Sequence, residues 1–131
     1  IMAISDITPH QFFECVNGYC GAAEWATSDP EDNDIELSNY DRERIAPRHV
    51  YEFFGRCALA GIDCMTAIDA IGYSAARFGH DFWLSRNGHG AGFFDRSELP
   101  EETRDALQKV ASQCGVIDTY RDDDGNLRFD H

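Results

Sequence analysis

The chain has 131 residues, the size of one ordinary domain, long enough to bury a core without disulfide or metal staples. Its 24 acidic against 11 basic residues give a formal net charge of -13, which repels nucleic-acid phosphates and anionic lipid, and so excludes a conventional DNA, RNA or membrane-surface binder. Such a field favours a basic protein surface instead, because complementary potentials speed encounter and help select the partner.

A hydrophobic fraction of 43% and an aromatic fraction of 12% fit a packed globule and argue against global disorder. The opening Ile1 to Thr8 lacks the basic stretch and apolar core of a signal peptide. No apolar run approaches the roughly 18 residues of a membrane helix. The cysteines, Cys15, Cys20, Cys57, Cys64 and Cys114, are odd in number and contain no C-x-x-C pair. They read as small buried hydrophobes, which places the chain in a reducing cytoplasm. The expected fold class is α+β, a single acidic domain over residues 1–131. About three helices are expected to pack on a small antiparallel sheet built from two β-hairpins.

In chain order, Thr8-Pro9 is a helix start, a capping hydroxyl followed by a residue suited to the first helical position. Phe12, Val16, Tyr19, Cys20 and Ala23 then recur at helical spacing and predict a helix from Pro9 to Thr27. Gly18 and Gly21 weaken it and invite close approach by another helix. An acidic connector follows from Ser28, with Ile35, Leu37 and Tyr40 expected to pin it to the body. Pro47 opens a second helix reaching about Ile71, its apolar stripe running through Val50, Phe53, Cys57, Cys64 and Ile68. The Ala58-Leu59-Ala60-Gly61 stretch is its expected break.

The segment His80 to Asp95 carries Asn87-Gly88 between two aromatic-rich runs, the signal of a tight hairpin turn. That register sets Phe82 opposite Phe93, Trp83 opposite Gly92 and His80 opposite Asp95. Pro100-Glu101-Glu102 begins a third helix, and Gly115 is a natural stop. Val116 to Tyr120 then reads as a strand, turned back by Asp124-Gly125 into Leu127-Arg128-Phe129.

His80, Asp81, His89 and Asp95 are the candidates for a polar site, with His80, His89 and Asp95 the catalytic candidates, since His and Asp bind metals or transfer protons. His80 and His89 fall at opposite ends of a strand, however, too far apart to share one ion. Asn87-Gly88-His89-Gly90-Ala91-Gly92 lacks the Lys and the Ser or Thr of a phosphate-binding loop. Asp122-Asp123-Asp124-Gly125 fails as a calcium loop, because the first and twelfth positions would be Tyr120 and His131. No activated nucleophile, resident metal or cofactor is implied. The partner-binding candidates are Asp29, Glu31, Asp32, Asp34, Glu36, Asp41 and Glu43 of the connector, with Trp83 as an aromatic anchor.

The blocks His80-Asp81-Phe82-Trp83-Leu84, Arg86-Asn87-Gly88-His89-Gly90 and Gly92-Phe93-Phe94-Asp95-Arg96 resemble a stretch found in small uncharacterised proteins of tailed bacteriophages and prophages. The resemblance covers this segment well and the flanking helices weakly. It implies a phage accessory protein acting in the bacterial cytoplasm, and it transfers no site residue. Charge and resemblance together lead to the expectation of a binding protein without catalysis. It would occupy a basic host surface, such as the nucleic-acid groove of a restriction or CRISPR complex. The alternatives are a small metal-dependent hydrolase or nuclease using the His and Asp residues above, and a phage assembly or structural factor.

Overall fold

The hydroxyl of Thr8 accepts the Gln11 N–H at 3.1 Å, and the Gln11 side chain accepts the Thr8 N–H in return at 3.1 Å. This reciprocal cap leaves Pro9 at the first helical position, where its missing N–H costs nothing. The computed structural model describes residues 7–27, 35–88 and 92–130. In it α1 spans Pro9–Thr27, as the periodicity predicts.

The connector enters the described region at Ile35, with Ile35 and Leu37 buried and Tyr40 exposed. A π-helical turn, Asp41–Ile45, leads into α2, Ala46–Leu59. The long second helix of the sequence reading is broken after Leu59, where Gly61 takes φ +78°. Asp63 restarts the chain as α3, Cys64–Ile68, its carboxylate accepting the Met65 and Thr66 N–H groups at 3.0 and 3.2 Å. Ile71, placed on the apolar stripe by its spacing, lies beyond the end of α3 and is 97% exposed.

The hairpin expected over His80 to Asp95 does not form. Ala75–Arg86 is a helix, α4, opened by Ser74, whose hydroxyl accepts the Arg77 N–H at 3.1 Å. Asn87-Gly88 ends this helix rather than turning a strand. Gly88 takes φ +75° and its N–H donates back to the Ser85 carbonyl. The pairing of His80 with Asp95 and of Trp83 with Gly92 therefore falls away. Gly92 instead lies against Ser85, whose hydroxyl accepts the Phe93 N–H at 2.9 Å and ties a short 3-10 turn, Phe93–Asp95, to α4.

The chain then forms α5, Glu101–Gln113, with two glutamates in its first turn, and stops at Gly115 with φ +85°. β1, Asp118–Arg121, and β2, Leu127–Asp130, pair antiparallel around the Asp124-Gly125 turn. The class is α+β, but the described residues form five α-helices instead of about three and one hairpin instead of two. Leu37 adds a single parallel bridge to Leu127, so the connector lies along the far side of β2.

Aromatic rings fill the centre. Phe53 of α2 stacks on Phe82 of α4 at 4.0 Å between centroids, and Phe54 stacks on Phe78 at 5.4 Å. Phe93 and Tyr19 close the cluster. α4 runs through the middle of this core, against α1, and two glycines set their spacing. A Cβ on Gly18 of α1 would fall on the Ala76 carbonyl, and one on Gly79 of α4 would fall on the Cys15 carbonyl. The close approach anticipated for Gly18 is real, whereas Gly21 faces open space.

Candidate functional site

His80 and Asp81 are neighbours in sequence, and the turn of α4 aims them differently. Asp81 is fully buried while His80 is about a third exposed. Arg96 grips the Asp81 carboxylate with two hydrogen bonds, Nε to Oδ2 at 2.8 Å and Nη2 to Oδ1 at 2.7 Å. The Tyr73 hydroxyl donates to Oδ2 at 2.7 Å, and His80 Nδ1 lies 3.3 Å from Oδ1. Burial pushes the Asp81 pKa up. The hydrogen bonds from His80, Arg96 and Tyr73 outweigh that cost and hold the carboxyl below its ordinary range. Burial and the facing carboxylate push the Tyr73 hydroxyl well up, so it stays a donor.

His80 opens onto a shallow concavity of about 390 Å³ with Gly18, Gly21, Ala76, Arg77 and Arg96. A carboxylate-oriented imidazole is a component of acid–base sites. Among the described residues it stands beside no serine, cysteine or second carboxylate facing the same space, and the two arginines are committed, Arg96 to Asp81 and Arg77 to Glu98 at 3.0 Å. The cluster is a tether joining α4, the Tyr73 turn and the segment after Phe93. Of the three catalytic candidates, His89 lies outside the described residues, and Asp95 is exposed on the 3-10 turn, apart from the Asp81 tether. No group of three His, Cys, Asp or Glu side chains among the described residues is placed to hold a metal ion.

The partner-binding candidates divide likewise. Asp29, Glu31, Asp32 and Asp34 lie outside the described residues, whereas Glu36 and Glu43 are exposed. Asp41 is no surface carboxylate. It is fully buried and accepts the Phe129 N–H at 2.7 Å and Arg128 Nη2 at 3.2 Å, fastening the π-helical turn to β2. Trp83 is no surface anchor either. It is 3% exposed, set edge-on to Tyr19 and against Phe129.

Arg86 is a residue the sequence reading missed. It is 6% exposed yet pairs with no carboxylate among the described residues. Nε and Nη2 donate to the Gly115 and Cys114 carbonyls at 2.8 and 2.9 Å, and Nη1 donates to the Tyr19 hydroxyl at 3.0 Å. The cation thus caps the C-terminal end of α5, where the helix dipole favours it. Tyr19 lies 2.8 Å from His49 Nδ1, and burial holds its phenol far above the ordinary range.

The five thiols are free, four of them buried and Cys114 half-buried. Burial pushes Cys20 up to about 12, so it is a neutral core side chain. A maleimide added to the native protein at neutral pH is expected to reach Cys114 first and the other four only on unfolding. Mass mapping of the adducts checks this, and early modification of Cys15 or Cys20 contradicts the core packing.

The hairpin, in contrast, displays its charge. Asp118 sits directly opposite Asp130, and Asp123 and Asp124 are exposed at the turn. Asp122 is partly buried and accepts the Asp124 and Asn126 N–H groups. Beside β1 lies a pocket of about 320 Å³ between the end of α1 (Ala26, Thr27), Trp83 and Asn87 of the α4 terminus, and residues 116–119. Trp83 Nε1 is buried and has no acceptor among the described residues.

Compared with protein-family models, curated proteins and solved structures, the chain matches none. No helix among the described residues is long and apolar enough to cross a membrane.

Proposed function

We propose that the protein is a phage-encoded binding protein without catalysis, which docks its exposed carboxylates on a basic protein surface. A nucleic-acid-binding groove of a host restriction or CRISPR complex is the target class that fits this charge best. The observation that carries the reading is the fate of the two signs of charge. Arg42, Arg56, Arg77, Arg96 and Arg128 are engaged with the protein's own carboxylates and Arg86 is buried on carbonyls, while Arg44, Arg48 and Lys109 stay exposed among a much larger number of acidic side chains. Acidic side chains are left on show, and Asp118 opposes Asp130 at a cost to the hairpin, since like charges across a ladder repel. Negative charge kept where it destabilises is what a charge-driven binder would retain. The phage resemblance supplies the setting.

The test is a tagged capture from bacterial lysate, with bound proteins identified by mass spectrometry at two salt concentrations. The screening length falls from about 10 Å at about 0.1 M to about 3 Å at about 1 M, so a partner held by surface carboxylates is lost in the second wash. A single nucleic-acid enzyme retained at low salt and released at high salt is the expected result. Retention indifferent to salt would refute docking by charge.

A further inference from the structure

Among the described residues, β1 has a partner on one side only. The two-stranded sheet has the order β1-β2, and the Leu37 bridge covers the other side of β2. The register shows which groups of β1 face outward. Asp122 donates its N–H to the Asn126 carbonyl, continuing the ladder, so Asp118 and Tyr120 also point their backbone groups at β2. By alternation the N–H and C=O of Thr119 point away from it. The preceding outward N–H, that of Ile117, donates to Asn87 Oδ1 at 2.9 Å. Among the described residues the Thr119 backbone thus lies at an unpaired edge, the arrangement to which extended peptides add.

Two further features mark this edge. The pocket holding Trp83 lies along it, lined on the β1 side by Val116, Ile117, Asp118 and Thr119. The indole N–H has no acceptor among the described residues, and a buried donor left unsatisfied is costly. The surrounding charge is predominantly negative, with Asp118, Asp123, Asp124 and Asp130 exposed on a hairpin that also carries Arg121 and Arg128.

We propose that β1 receives an extended basic segment of a partner protein as an added strand, with Lys or Arg side chains against the hairpin carboxylates and a carbonyl seated in the Trp83 pocket. This rests on the reading of the protein as an acidic binder and names the geometry of its docking.

The experiment uses the full chain carrying Trp25→Phe, which leaves Trp83 as the sole indole. The probes are a short peptide of alternating lysine and valine, the same peptide N-methylated on alternate residues, and polylysine. The expected result is that the first peptide shifts Trp83 emission and binds about tenfold more tightly than the N-methylated one, the loss corresponding to one or two backbone hydrogen bonds. Thr119→Pro, which removes an N–H outside the β1-β2 ladder, is expected to weaken the first peptide similarly. Equal binding of the two peptides with Trp83 emission unmoved overturns edge addition. Polylysine binding that persists in that case leaves the acidic-surface reading standing, and its absence removes both.

Discussion

Gly79→Ala is expected to destabilise the protein by at least about 3 kcal/mol, enough to unfold much of a domain of ordinary stability. The added methyl lands on the Cys15 carbonyl of α1, a backbone atom that cannot rotate aside. The helices must separate, and doing so opens the contacts of Tyr19 with Phe82 and Trp83. Gly18→Ala makes the reciprocal clash with Ala76, and the double variant is expected to cost less than the sum of the two, because one separation relieves both. Gly21→Ala is the control. It lies one turn on in α1 with nothing within 4 Å of the new Cβ, so it is expected to gain about 1 kcal/mol from helix propensity alone. Urea midpoints of the three variants decide the matter. A Gly79→Ala protein as stable as Gly21→Ala would mean that α1 and α4 do not cross at these glycines.

That contact explains why part of the fold was legible from sequence and part was not. Caps and turns are local chemistry, and Thr8-Pro9, the break at Gly61, the stop at Gly115 and the Asp124-Gly125 turn all stand where the residues place them. α4 failed because periodicity speaks only when one face is wet. From Phe78 to Arg86 every residue but His80 is buried, so the helix shows neither the spacing of an amphipathic helix nor that of a half-buried strand. Asn87-Gly88 marks the left-handed turn of the backbone at Gly88, while Asn87 itself keeps φ -98°. The pair could not say whether a strand or a helix was ending there. Ser74 followed by Ala75-Ala76, with Gly79 available to meet Gly18, was the signal for a helix start and a helix crossing.

The same limit governed the site. Residue types survive in sequence, but partners do not. Asp41 read as one more carboxylate of an acidic loop, and only the folded chain shows Phe129 and Arg128, far along the sequence, consuming it. Arg86 read as a polar strand residue, and its carbonyl partners come from the end of a different helix. The Trp83 pocket draws on α1, α4 and the approach to β1, three segments that no spacing rule brings together. Charge was the exception. A net of -13 needs no partner assignment to be read, and it carries most of the functional conclusion.

Asp81→Asn is expected to cost about 3–5 kcal/mol at neutral pH, the range for breaking a buried ion pair from one side. The amide keeps the volume but cannot accept the two parallel Arg96 bonds and the Tyr73 hydroxyl together, and it leaves the Arg96 cation without its counter-charge. The pH dependence separates this from a simple packing defect. Asp81 titrates below the ordinary carboxyl value in the folded protein and near about 3.9 when unfolded. A depressed folded pKa stabilises above the unfolded value, and that contribution is lost as pH falls through the folded one. The gap between wild type and Asp81→Asn is therefore expected to be full from neutral pH down to about 5 and to narrow below about 4. Denaturant unfolding followed across that range measures it. A gap that stays constant into acid would show that the carboxylate charge is not what holds Arg96, and the tether would then rest on shape alone. If the gap closes, the His80-Asp81 cluster has its role in stability, and the docking proposed above is left to the hairpin carboxylates and the edge of β1.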